Sequence, residues 1–244
     1  PAKIGSINNY AFKNSGLTSI SLPASVKTLG QNAFENCASL KTVEFAEDIQ
    51  ITEIKSTTFK GCAALESITI PDGVKTIGAN SFENCTALEV VNLPSTVTYI
   101  GRVAFMNTGI TEIVIPEGVR FLSKANKKTT IANDLSGEVN SLSKEKSRLD
   151  PAEGKINVSS TAQFAFCANL TKVTLSSKLE EIGAYAFFAT PNLTTITYTG
   201  YEGSGNALPE KLSQICGYAF SHSGVDSIKT TSNVKLNKNV FADS

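Results

Sequence analysis

Residue types that could carry chemistry are few and far apart in this chain. Among 244 residues there are one His, five Cys and no Trp. His222 lies in the run AFSHSG, with Cys216 upstream of it. A thiol beside an imidazole is a pairing that can activate a nucleophile. Here no third group is spaced to orient the ring. Asn36, Asn84 and Asn107 hold the place of His222 in similar segments, so it reads as a polar turn residue. One His also excludes a multi-His metal site within the chain. Gly203-Ser204-Gly205 lacks the strand-to-helix context of a phosphate-binding fingerprint, and no P-loop, nucleophile elbow or H-E-x-x-H segment occurs. The adjacent carboxylates Glu180 and Glu181 read as a solvated turn. No catalytic residue, metal or cofactor is assigned, and the chain reads as non-enzymatic.

Composition narrows the partners. Lys plus Arg and Asp plus Glu are 22 each, so the net charge is zero. A neutral chain lacks the basic footprint of a nucleic-acid binder. No apolar run reaches the roughly 18 residues that would span a bilayer, so no direct membrane insertion is expected. With 41% hydrophobic residues the chain has material for a sizeable core.

The elements that would position any site come from a repeat. Phe recurs in one context at 12, 34, 59, 82, 105, 164, 187, 220 and 241, at intervals of 22, 25, 23, 23, 59, 23, 33 and 21. Seven of these nine Phe follow apolar residues five and eight positions earlier, such as Val74 and Ile77 before Phe82. Downstream comes an L-x-x-I-x-I signature, as in Leu65/Ile68/Ile70 and Leu170/Val173/Leu175. Its last three residues alternate in, out, in, the pattern of a half-buried strand. A coil of this length cannot bury its apolar side alone, so neighbouring coils must complete the core. The sequence predicts a leucine-rich-repeat solenoid: a right-handed coil with a parallel β-sheet on one face and about nine coils of ~23 residues. Short turns or helical turns would form the other side. At a strand spacing of roughly 4.8 Å the sheet would run about 40 Å.

Punctuation is in phase with this. Pro23, Pro71, Pro94 and Pro116 follow the last inward strand residue, where a missing N–H ends the ladder. They are suited to the second position of a turn. Gly30, Gly78, Gly101 and Gly183 follow the apolar residue five before the Phe, suiting a bend or a close backbone approach. The stretch from that Gly to the Phe predicts a short helical turn. Segments such as VKTIGANSFENCTALEVVNLP at 74–94 resemble the BspA-like leucine-rich repeats over residues 4–122 and roughly 156–241. The resemblance implies a surface or secreted protein of a host-associated bacterium. It also implies a binding or adhesion role towards protein or glycan ligands, host matrix proteins among them.

Cys37, Cys62, Cys85 and Cys167 each lie three residues after a repeat Phe, where Ser15, Thr108, Thr190 and Ser223 stand in other coils. They predict a buried ladder of thiols and hydroxyls rather than a disulfide framework. Cys216 replaces or adjoins the bend Gly.

Two stretches break the period. The first is an insertion at 123–155, polar and Lys-rich, with seven basic and five acidic residues. Lys124, Lys127, Lys128, Lys144, Lys146 and Arg148 are its candidate contacts. Ile131, Leu135, Val139 and Leu142 are spaced for an amphipathic helix. The second is a loop extension at 200–211 that carries the candidate Tyr201. The outward strand positions supply the rest: Thr42, Glu44, Ser67, Thr69, Asn92, Glu112, Lys172, Thr174, Thr195 and Thr197. One leucine-rich repeat domain would fill 1–244. Neither end shows a distinct polar cap, so the chain reads as a fragment of a longer protein. The expected function is a cell-surface or secreted binding module. A structural spacer presenting another domain is the second reading.

Overall fold

The structure, a computed structural model, describes residues 4–122, 161–229, 234–242 and 244. Two sets of strands alternate along the chain. The longer set is Ser19–Leu22 (β2), Thr42–Phe45 (β4), Ser67–Thr69 (β6), Val90–Asn92 (β8), Glu112–Val114 (β10), Lys172–Leu175 (β12) and Thr195–Tyr198 (β14). The short set is Ser6–Ile7 (β1), Thr28–Leu29 (β3), Glu53–Ile54 (β5), Thr76–Ile77 (β7), Tyr99–Ile100 (β9), Phe121–Leu122 (β11), Glu181–Ile182 (β13), Gln214–Ile215 (β15) and Lys235–Leu236 (β16). Every strand pairing is parallel and joins a strand to the next of its own set. Where regular pairing lapses in the longer set, backbone bonds continue it: Glu66 N–H donates to Lys41 O, and Thr111 N–H to Glu89 O. The chain is a parallel β-solenoid of about eight turns, close to the nine expected.

Register explains the core. Ile68 pairs with Val91, Ile113 with Val173 and Val173 with Ile196, so inward residues form columns, and all five are buried. The repeat Phe rings form a second column. From Phe12 to Phe241 they stack at centroid distances of 5.2–5.5 Å and within 12° of parallel. One near-parallel ring per coil lets each coil bury the next.

The third side of the coil is built of short turns, one of the two expected forms, and not of the helical turn expected from Gly to Phe. It holds no helix among the described residues. Around each Phe from Phe12 to Phe220, the residues two before and two after have positive φ, as in Asn32 (58°) and Asn36 (58°), or Asn80 (57°) and Asn84 (62°). Left-handed residues alternating with right-handed ones aim successive N–H groups up the stack and back along the chain by turns. Asn80, Phe82 and Asn84 N–H donate to Arg102, Ala104 and Met106 O of the next coil, while Glu83 and Cys85 N–H close four-residue turns on Asn80 and Phe82 O. A helix would have spent all these donors within its own coil. The ladder links the coils instead, which compensates left-handed residues that cost about 1–2 kcal/mol each.

The glycines follow the predicted close approach. A Cβ on Gly78 would stand 2.5 Å from Ser56 N, and one on Gly101 2.5 Å from Ala79 N. The prolines occupy a different turn position from the one expected. Val26, Val74, Val97 and Val119 N–H donate to the carbonyls of Pro23, Pro71, Pro94 and Pro116. Proline is thus the first residue of each turn. Its missing N–H ends the strand ladder, while its carbonyl closes the corner.

The coils on either side of the 123–155 segment stack directly. Glu112–Val114 pairs with Lys172–Thr174, and Phe121–Leu122 with Glu181–Ile182. Phe105 N–H donates to Gln163 O, and Gly183 N–H to Leu122 O. Arg120 Nε donates to Glu180 Oε1 at 2.6 Å. The Glu117 carboxylate accepts from Ser177 N and Oγ at 2.8 and 2.7 Å. Burial acts to raise this carboxyl, but the Ser177 bonds, with a Thr199 bond and the Lys178 charge, together outweigh it and hold it below its usual value. The expected helix at Ile131–Leu142 lies outside the described residues.

The turn side changes character at this point. Val103, Ala162, Ala165 and Phe188 form a second apolar cluster, with Met106, Phe166, Tyr185 and Tyr218 packed against it. Val103, Ala162, Phe166, Tyr185 and Tyr218 stand where earlier coils have Asn32, Asn36, Asn80 and Asn84, while Met106, Ala165 and Phe188 stand where they have Glu35, Lys60 and Glu83.

Candidate binding face

Strand alternation positions the outward side chains. Thr42, Glu44, Ser67, Thr69, Asn92, Glu112 and Thr195 are exposed, and Lys172, Thr174 and Thr197 are half-buried. Parallel pairing in register gathers them into two columns. One runs through Ser19, Thr42, Ser67, Val90, Glu112, Lys172 and Thr195. The other runs through Ser21, Glu44, Thr69, Asn92, Val114, Thr174 and Thr197. Neighbours bind one another: Ser21 Oγ donates to Glu44 Oε2 at 2.7 Å, Asn92 Nδ2 to Thr69 Oγ1 at 3.1 Å, and Lys172 Nζ lies 3.5 Å from Glu112 Oε2.

Open clefts lie on this face among the described residues. Thr42, Glu44, Ser67 and Thr69 share one of about 540 Å³ with Pro71 and Asp72. Asn92 and Glu112 share one of about 390 Å³ with Val90 and Val114. Those two valines are 49% and 59% exposed, the apolar spots of an otherwise polar surface. Thr195 and Thr197 meet the loop candidate Tyr201 in a third cleft, of about 530 Å³, with Thr194, Asn206, Asp226 and Ser227. Sequence reasoning did not link Tyr201 to the sheet, and it passed over Asn206 and Asp226. Both lie in the irregular coils, where no repeat phase marks them.

The extension at 200–211 makes that third cleft. It is not a simple excursion. Asn206 and Ala207 enter the sheet between β14 and the following coil: Ala207 N–H donates to Ile196 O at 3.0 Å, and Ala207 bridges to Lys229. The Asn206 side chain imitates a peptide group. Its Oδ1 accepts from Ile196 N at 2.8 Å and its Nδ2 donates to Ser227 O at 3.0 Å. Residues 200–205 arch beside this wedge, and Tyr201 OH donates to Ser204 O at 3.2 Å.

The residues considered for chemistry are not brought together. Cys216 Sγ donates towards Glu181 Oε1 and accepts from Gln214 Nε2, each at 3.6 Å. Burial first, then the Glu181 charge, pushes its thiol up to about 11. The His222 ring stands edge-on to Phe188 instead, and its backbone takes the left-handed turn place. The four in-phase thiols are free and buried. Cys37, Cys62, Cys85 and Cys167 donate to the carbonyls of Phe12, Phe34, Phe59 and Phe105 in the preceding coil. Thr108 and Thr190 donate to the Phe carbonyl of their own coil. That is the expected thiol and hydroxyl ladder. Among the described residues no group of three or more His, Cys, Asp or Glu could hold a metal ion, and no helix is long and apolar enough to cross a membrane. Lys124, Lys127, Lys128, Lys144, Lys146 and Arg148 lie outside the described residues.

A stacked parallel coil with a Phe column, Pro-closed corners and an outward hydroxyl-rich sheet defines a leucine-rich repeat protein. The family profile of the BspA type leucine rich repeat region matches residues 5–130, 147–203 and 204–244 in six copies, and the chain belongs to this family. No curated protein matches it in sequence. Among solved structures it resembles a leucine-rich repeat protein from Bacteroides ovatus, at 22% identity and TM-score 0.57, over 95% of this chain and 59% of that one. It also resembles one from Eubacterium ventriosum, at 22% identity and TM-score 0.52, over 100% of this chain and 63% of that one. The chain therefore spans less than two thirds of the length of either.

Proposed function

We propose that this chain is a non-enzymatic binding module at the bacterial surface or in secretions, recognising protein or glycan ligands through the outward sheet face. The observation that carries this reading is the division of labour in the coil. Phe and aliphatic columns fill the interior, while the outward columns carry hydroxyls, amides and charges over clefts of 390–540 Å³. A stable fold does not require that variety on its solvent side, since Ser and Thr alone suit exposed strands. Membership of the BspA-type family supports a surface location and an adhesive role. The basic 123–155 segment is a second contact in this proposal.

The test is a binding screen of the chain against fibrous matrix proteins and a glycan panel, beside a version lacking 123–155. Binding by both forms assigns recognition to the sheet face. Binding lost on deletion assigns it to the segment. Binding by neither contradicts the module reading and favours the structural spacer.

A further inference from the structure

We propose that the cleft beside the 200–205 loop is a subsite for a neutral, hydroxyl-rich ligand of the saccharide class, an inference that rests on the binding reading above. The wedge of Asn206 and Ala207 separates β14 from the coil at Asp226–Lys229 by two strand spacings, roughly 9.6 Å, instead of one. The space so opened measures about 530 Å³, within the ordinary range of small-ligand sites. It is the one place on the described face where an inserted loop, rather than plain strand stacking, forms a wall.

The chemistry of the walls selects the ligand. Thr194, Thr195 and Thr197 supply hydroxyls able to donate and to accept, and Ser227 adds an acceptor. Asp226 adds a carboxylate at the rim, oriented by the Ser227 hydroxyl that donates to its Oδ1 at 3.1 Å. A carboxylate can accept from two neighbouring hydroxyls of a sugar, and these charge-assisted bonds are the strong ones. The Tyr201 ring closes the far side and offers the apolar surface that a pyranose C–H face needs. Gly203 keeps the ring there, since a Cβ at that position would meet the Tyr201 hydroxyl at 2.5 Å.

Other ligand classes fit worse. The backbone groups of Ile196 are already spent on Asn206 Oδ1 and Ala207 N, so no free strand edge awaits a peptide. No cation lines the cleft, and Lys229 Nζ is turned to Ser204 O at 3.5 Å. An anionic ligand would meet Asp226 without a compensating charge.

The experiment is saturation-transfer NMR on the full chain with lactose, maltose, cellobiose and mannobiose, followed by titration of any binder. Asp226→Asn and Thr195→Val are compared with Glu210→Gln, a surface change outside the cleft. The expected result is transfer to at least one disaccharide and affinity about tenfold weaker in Asp226→Asn. Thr195→Val should weaken binding too, with Glu210→Gln unchanged and the melting curves of all three intact. No transfer to any disaccharide, or binding indifferent to both cleft variants, would overturn the proposal. A pentalysine peptide is titrated alongside. If it binds in an Asp226-dependent way while the sugars do not, the cleft reads cationic peptides and the saccharide assignment fails. Matrix-protein binding that survives in Asp226→Asn without any sugar binding would overturn this subsite and leave the general module reading standing.

Discussion

At the scale of single residues, each repeated position has one physical task. Phe82 is fully buried, and its ring is stacked on Phe59 and Phe105 at 5.4 and 5.2 Å. Phe82→Ala should lower stability by about 3–5 kcal/mol in denaturant melts, and a loss under about 1 kcal/mol would contradict the stacked core. The thiols make a pH prediction. Burial, reinforced by Cys37, raises the Cys62 thiol from 9.0 to about 12, and burial raises Cys167 to about 11. Unfolding lets these groups ionise from about pH 9, so between 9 and about 12 the folded state holds protons that the unfolded state has lost. Their contribution to stability is complete below pH 9 and falls as pH rises through that window. Cys62→Ser should show a shallower alkaline loss of stability than the parent chain, and identical slopes would count against the shift. Its Ser hydroxyl keeps a donor at this place, as Thr108 and Thr190 do by bonding the Phe carbonyl of their own coils.

At the scale of the element, the coil was legible where residues repeat in phase and illegible where backbone conformation carries the signal. The Phe interval, the strand alternation and the buried Cys place followed from side-chain type. The turn ladder did not, because its left-handed positions are only half marked by Asn and Gly. Thr57, Val103, Tyr185 and Phe166 also adopt positive φ, and nothing in their chemistry announces it. The expected helical turn failed for this reason. Thr57 is β-branched at φ 59°, where Asn32 and Asn80 stand in adjacent coils. Thr57→Asn should raise stability by about 1 kcal/mol, read as a Tm rise of roughly 2–4 °C, and a fall would contradict the ladder. The glycine corner gives a sharper contrast. Gly78→Ala would force a Cβ to 2.5 Å from Ser56 N, whereas Gly5 has nothing within 4 Å. The first change should cost about 1–3 kcal/mol and Gly5→Ala almost nothing; equal effects in thermal melts would refute the close approach. The candidate site was half legible in the same way. Outward strand residues came from alternation alone. The wedge that brings Tyr201 to Thr195 and Thr197 depends on Asn206 imitating a peptide, which no spacing rule reveals.

At the scale of the whole molecule, the solenoid is one stack that runs through its interruption. Ile113 pairs with Val173, Leu122 with Ile182, and the Phe105 ring lies 5.4 Å from that of Phe164. The distance matches the ring steps elsewhere in the column, so the sheet face continues from Glu112 to Lys172 as one surface. That continuity presents the outward columns as one uninterrupted surface. The most direct test is equilibrium unfolding of a variant lacking 123–155. Removing the segment shortens the connection between Leu122 and Phe164 but leaves their stacking partners in place. The account predicts a folded protein that unfolds in one cooperative transition, with stability within about 1 kcal/mol of the parent after the small change in loop entropy. Two separate transitions, or a chain that no longer folds, would show that the coils on either side do not form a single stack.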